Sequence, residues 1–155
     1  MRSIRILMVV AATSLALGAI APAVSADSPK AFHLDKTCES MILCTIVTDT
    51  FKAIPPDTNV NYTFDNSDPW DGLTFPTIAV RNGSTTGICD WNQADPAHPD
   101  VLAKCTFASG TGRLTQFHLA VDVTVTGDPE LANSIWHWDG WCWFGGSADE
   151  GHGPK

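Results

Sequence analysis

The sequence predicts an all-β domain of about eight antiparallel strands, and three observations lead there. Runs rich in Val, Thr, Ile, Phe and Trp recur along the chain at short, even spacing. The segment 113–126 (RLTQFHLAVDVTVT) and the segment 134–144 (SIWHWDGWCWF) alternate apolar and polar residues with a period of two. Clusters of Gly, Pro, Asn and Asp cut the chain between such runs. No long helical period is present. The best helical candidate, Thr37 to Val47, reads as one or two turns ahead of a strand.

In chain order the strands are expected at 31–36 (AFHLDK), 43–51 (LCTIVTDTF), 60–65 (VNYTFD), 74–82 (TFPTIAVRN), 86–91 (TGICDW), 101–108 (VLAKCTFA), 113–126 and 134–144. Between them lie Pro55-Pro56, Asn66-Ser67-Asp68-Pro69, Asn82-Gly83, Asp95-Pro96, Gly110-Thr111-Gly112 and Gly127-Asp128-Pro129. Proline fixes φ and lacks a donor, and glycine supplies positive φ, so each cluster ends a ladder.

The domain is preceded by a leader. Arg2 and Arg5 are followed by a nearly unbroken apolar or small-residue run from Ile6 to Ile20, and then by Val24-Ser25-Ala26. This is the pattern of a secretory signal peptide of bacterial kind over residues 1–26, too short for a full membrane span. The barrel or sandwich domain then occupies 27–145, and a small, polar, glycine-rich tail occupies 146–155. After cleavage, seven basic residues face seventeen acidic ones, a net charge of −10. That balance, with no basic cluster, excludes nucleic acid and anionic membrane as partners.

Five cysteines follow the leader, and an exported chain meets an oxidising compartment. The expected bridges are Cys38–Cys44, closing a tight loop, and Cys89–Cys105, tying two strand ends. Cys142 is then a buried free thiol. No metal site is expected, because no C-x-x-C pair exists and the histidines are not spaced to complete one.

Composition alone leaves both a sandwich and a closed barrel open. The stretch FASGTGRL, Phe107 to Leu114, leads directly into a long alternating strand. It resembles the glycine-rich turn and strand of the allene oxide cyclase and dirigent-like barrels, with Ser109 and Leu114 where that family has a glycine and an aromatic. Together with IAVRNGSTTGICDWN, it is similar to small secreted bacterial proteins with an allene oxide cyclase barrel-like domain. The resemblance implies an eight-stranded antiparallel β-barrel.

The last two segments carry the candidate chemistry. If they form a hairpin, apolar face must meet apolar face. Phe117, Leu119, Val121, Val123 and Val125 then lie beside Trp136, Trp138, Cys142 and Phe144. The opposite face gathers His118, Asp122, His137, Asp139, Trp141 and Trp143, with Asp122 within reach of His137 or Asp139. With the aliphatic face inside, Trp136 and Trp138 fill the core or line a dry pocket, and Trp141 and Trp143 are left outside for a second subunit, another partner or the N-terminal segment to cover. With the mixed face inside, the histidines, carboxylates and tryptophans line a polar-aromatic cavity. The functional expectation is a secreted barrel that binds a small apolar molecule or a protein partner, without a cofactor. The four tryptophans, Trp136, Trp138, Trp141 and Trp143, are its ligand-binding candidates. One alternative is a cyclase or isomerase using a His/Asp pair drawn from His118, Asp122, His137 and Asp139. Another is a tryptophan-mediated interaction or carbohydrate-binding module.

Overall fold

The computed structural model describes residues 27–65, 72–92, 97–132 and 134–145. The signal peptide expected at 1–26 and the tail expected at 146–155 lie outside these residues. The strands are β1 (Lys30–Ser40), β2 (Leu43–Asp49), β3 (Asn59–Phe64), β4 (Leu73–Val80), β5 (Gly83–Thr86), β6 (Ile88–Asp90), β7 (Ala103–Phe107), β8 (Phe117–Thr126) and β9 (Ile135–Phe144). Hydrogen bonding runs β3-β2-β1-β9-β8-β7-β6-β4, and β3 pairs with β4 to close the ring. The result is a closed eight-stranded antiparallel barrel with β5 as an additional strand. No helix among the described residues is long and apolar enough to cross a membrane.

β5 and β6 lie on the same edge of β4 in one unbroken register, Thr77 opposite Thr86 and Thr74 opposite Cys89. Pro76 separates them: it has no N–H to donate, although its carbonyl still accepts from Gly87 at 2.9 Å. Gly87 is required there, because a Cβ would sit 2.7 Å from the buried Phe107 ring.

Three expectations are corrected. Thr37–Val47 is not helical; it forms the β1–β2 hairpin, whose ladder of β-branched residues and Cys38–Cys44 bridge outweigh a weak helical preference. The segment 113–126 is not strand throughout: Gly112–Leu114 is a 3-10 turn, and β8 starts only at Phe117. Gly112 adopts φ +55°, and a Cβ on it would lie 1.9 Å from the Asn82 carbonyl oxygen. The strand expected at 86–91 is instead divided between β5, which ends at Thr86, and β6 (Ile88–Asp90), while Asn82-Gly83 turns the chain from β4 into β5 as expected.

The aliphatic face of β8 and β9 points inward. Trp138, Phe107, Phe117, Leu34, Ile46 and Ile78 are fully buried in the core. One end of the barrel is plugged by aromatic rings, with Phe51 stacked 5.2 Å from Phe117 and 5.8 Å from Phe144. The other end holds a cavity.

Both expected disulfides are present, Cys38–Cys44 and Cys89–Cys105, and Cys142 is a buried free thiol. The second bridge joins β6 to β7 across a separation of 16 residues. Replacing Cys89 and Cys105 together by alanine is expected to cost about 3 kcal/mol in denaturant unfolding, from the loop it closes in the unfolded chain. Mass spectrometry of the unreduced protein should find a single alkylatable thiol, Cys142, reacting only once the barrel is opened.

Candidate functional site

Alternation along β1 puts Phe32, Leu34 and Lys36 on one face, which is the barrel interior. The sequence therefore sends a lysine into the core. Lys36 is 2% exposed, and its partner across β9 is Trp136. The amine lies over three rings, 5.1 Å from the centroid of Tyr62, 5.2 Å from Trp136 and 5.1 Å from Trp138. Cation–π attraction to three faces replaces part of its lost hydration. Its other polar neighbour is Cys44 Sγ at 4.0 Å. Among the described residues no carboxylate forms an ion pair with it.

Lys36 lies at the floor of a cavity of about 350 Å³. Tyr62, Phe64, Trp91 and Trp136 supply the walls together with the Cys38–Cys44 bridge. Trp91 stands edge-on to Trp136, its ring fixed by an N–H bond to Thr74 Oγ1 at 3.0 Å. The mouth is formed by Glu39, Ser40 and Met41 on one side and by Pro129 to Ala132 of the β8–β9 connection on the other. Met41 and Leu131 are exposed there, an apolar rim.

Burial pushes the Lys36 amine down to about 7 and drives the Tyr62 phenol well above its ordinary value. The tryptophan indole at the centre of the barrel, Trp138, has a buried Nε1 without a hydrogen-bond partner.

The candidate residues of the last two strands divide between the two sides of the wall. Trp136 lines the cavity, and Trp138 lies beneath it against Lys36 and Phe107. Trp141 is on the outer wall, along a shallow groove with His33, Thr50 and Asp139. Trp143 is also outward and stacks on His118 at 5.2 Å. His118 is buried under that ring, its Nδ1 unpartnered, and it forms no His/Asp pair among the described residues. Asp122 stands opposite Asp139, but its carboxylate pairs with Lys104 at 3.1 Å rather than with a histidine.

His137 and Asp139 instead find partners on β1. His137 Nδ1 is 2.6 Å from Asp35 Oδ1, and His33 Nδ1 is 2.6 Å from Asp139 Oδ1. His33 Nε2 also reaches Asp35 Oδ1 at 3.0 Å. The hydrogen bond to Asp139 outweighs burial and raises the His33 pKa. Burial alone would raise Asp35, but hydrogen bonds from Thr48 and His137 prevail and lower it. Sequence reasoning missed Lys36, His33 and Asp35. The available signals were a lysine in phase with Phe32 and Leu34, and a His-x-Asp at 33–35 matching the His-x-Asp at 137–139.

The buried amine fixes a pH dependence. In the unfolded chain Lys36 titrates near its ordinary value of 10.5; folded, it titrates near 7. Between these values the unfolded state holds the extra proton, so this group makes stability rise with pH, while below about 7 its full penalty applies. Lys36→Met should therefore stabilise the barrel by several kcal/mol at pH 6, with the gain shrinking to near zero by about pH 10.5. Urea unfolding of both proteins across this range measures the difference.

No family model, no curated protein and no solved structure matches the chain.

Proposed function

We propose that this is a secreted binding barrel, which takes a small, predominantly apolar molecule into its open end and sets one acidic oxygen of that molecule against Lys36. The observation that carries this reading is a buried amine at the floor of an aromatic cavity with no carboxylate beside it. A core built for stability alone would place Met or Leu there, since an uncompensated buried charge costs several kcal/mol. A ligand carboxylate or phenolate supplies the missing counter-charge, and the hydrogen bond it accepts is of the strong, charge-assisted kind.

The rest of the cavity selects the body of the ligand. Its volume of about 350 Å³ lies within the range of small-molecule sites. Its walls are aromatic, with few polar groups. Glu39 and Glu130 at the mouth repel multiply charged anions and favour a single acid group carried on an apolar frame. Two disulfides and a signal-like leader fit a carrier working outside the cytoplasm.

A cyclase or isomerase acting through His118, Asp122, His137 and Asp139 has less support, because none of these four lines the cavity. A stacking platform of Trp141 and Trp143 has less support too, because the Trp143 ring is already stacked on His118.

The test is a fluorescence titration with medium-chain fatty acids, terpenoid acids and aryl carboxylic acids, each beside its neutral alcohol. Acids should quench tryptophan emission through Trp91 and Trp136. Lys36→Met should weaken the acids by about tenfold or more, the worth of a charge-assisted hydrogen bond, and leave the alcohols within about twofold. Equal acid binding by the variant, or no response to any compound, would reject the reading.

A further inference from the structure

We propose that the outer wall of the barrel carries a site for a divalent transition metal of zinc-like chemistry, held by His33 Nε2, Asp35 Oδ1 and His137 Nδ1. These three atoms all lie within 4.8 Å of one another. The site is separate from the cavity, since its residues project from the opposite face of β1 and β9.

Strand pairing builds the site. β1 carries His33-Leu34-Asp35 and β9 carries His137-Trp138-Asp139. Their antiparallel register sets His33 against Asp139 and Asp35 against His137. Two His-x-Asp segments thus meet head to tail, with all four polar side chains on one face and Leu34 and Trp138 buried behind them. The backbone beneath the ligands is a central part of a closed sheet, which fixes their spacing.

Asp35 Oδ1 is 3.0 Å from His33 Nε2 and 2.6 Å from His137 Nδ1. Ligands on tetrahedral zinc, at bond lengths of about 2.0–2.2 Å, stand roughly 3.3 Å apart. Small rotations of the side chains reach that geometry. The remaining heteroatom of every ligand already has a partner. His33 Nδ1 is 2.6 Å from Asp139 Oδ1, which orients the ring with Nε2 toward the site. His137 Nε2 is 2.9 Å from Thr126 Oγ1. Asp35 Oδ2 accepts the Thr48 hydroxyl at 2.6 Å. A carboxylate or hydroxyl behind each metal-binding side chain is the arrangement that fixes tautomer and orientation in metal centres.

The β2 strand contributes through an irregularity. Asp35 pairs with Thr48 and Lys36 with Ile46, so Val47 is an extra residue. This bulge turns Thr48 to the outside, where it meets Asp35. Two imidazole nitrogens and one carboxylate oxygen suit zinc, copper, nickel or cobalt and disfavour magnesium and calcium, which want oxygen ligands. His33, Asp35 and His137 are all partly exposed, leaving the fourth position to water or a ligand from solution.

Titration of the purified, metal-stripped full chain with zinc chloride by calorimetry should give one site of micromolar or tighter affinity. Cobalt(II) should bind at the same site with visible absorption of a nitrogen–oxygen ligand set and no thiolate charge-transfer band. Asp35→Asn and His137→Gln should each weaken zinc by about a hundredfold, and Asp139→Asn by about tenfold or more, as a residue behind a ligand does. Imidazole NMR signals of the unaltered protein provide a readout that does not depend on the variants folding: zinc should move the signals of His33 and His137 and leave His118 in place. Absence of zinc binding at millimolar concentration, a thiolate band from Cys142, or zinc affinity unchanged by the Asp35 and His137 substitutions would overturn the proposal.

Discussion

The closure of β9 onto β1 is the constraint on which the rest depends. Eight residue pairs, from Lys30 opposite Cys142 to Thr37 opposite Ile135, join the first and last strands into one wall. Because side chains alternate, this one register decides both surfaces together. It sets Lys36 beside Trp136 inside, and Asp35 beside His137 outside, from consecutive residues. A slip of one position would send the lysine into water and the carboxylate into the core. The inner cavity and the outer histidine cluster are therefore two readings of the same ladder, separated by the thickness of a single strand.

The barrel is asymmetric along its axis, with one end packed and the other open. At the plugged end Phe51, Phe117 and Phe144 fill the lumen with rings in contact. At the open end the lumen narrows onto Lys36, and the aromatic side chains stand apart around it. A buried amine is tolerated there because the surrounding structure is braced: the Cys38–Cys44 bridge, the Trp91 bond to Thr74 and the closed ladder hold the cage in place. Tyr62, Trp136 and Trp138 offset part of the desolvation with their ring faces, but they do not neutralise charge. The fold thus keeps at its centre a group whose electrostatic needs it does not itself satisfy, a pattern associated with function more than with structure.

Legibility in the sequence followed the range of the interactions. The sorting of β8 and β9 into an apolar and a mixed face was readable because the two strands form a local hairpin and both alternate strictly. Cys38–Cys44 and Cys89–Cys105 were readable because each joins neighbouring strands over a short span. What resisted was non-local. His33 gains its partner Asp139 only when β1 meets β9, 106 residues apart in the chain. Lys36 stands at what looks like the end of a short strand; only when β1 extends to Ser40 does its place in the Phe32–Leu34 series become evident. The structure of Thr37–Val47 is likewise set by pairing rather than by local preference.

The like charges of the outer wall are shared out among different neighbours. Asp122 and Asp139 face each other across β8 and β9, a pairing that repels. Each is compensated by a different neighbour, Lys104 from β7 for Asp122 and His33 from β1 for Asp139. The sheet therefore divides its carboxylates between a lysine on one flank and histidines on the other. Asp122, expected within reach of His137 or Asp139, is drawn away from the cluster by this division, and Asp35 stands instead between His33 and His137. The side chains on the three neighbouring strands, more than the tryptophan-rich strand taken alone, determine which acids meet which bases.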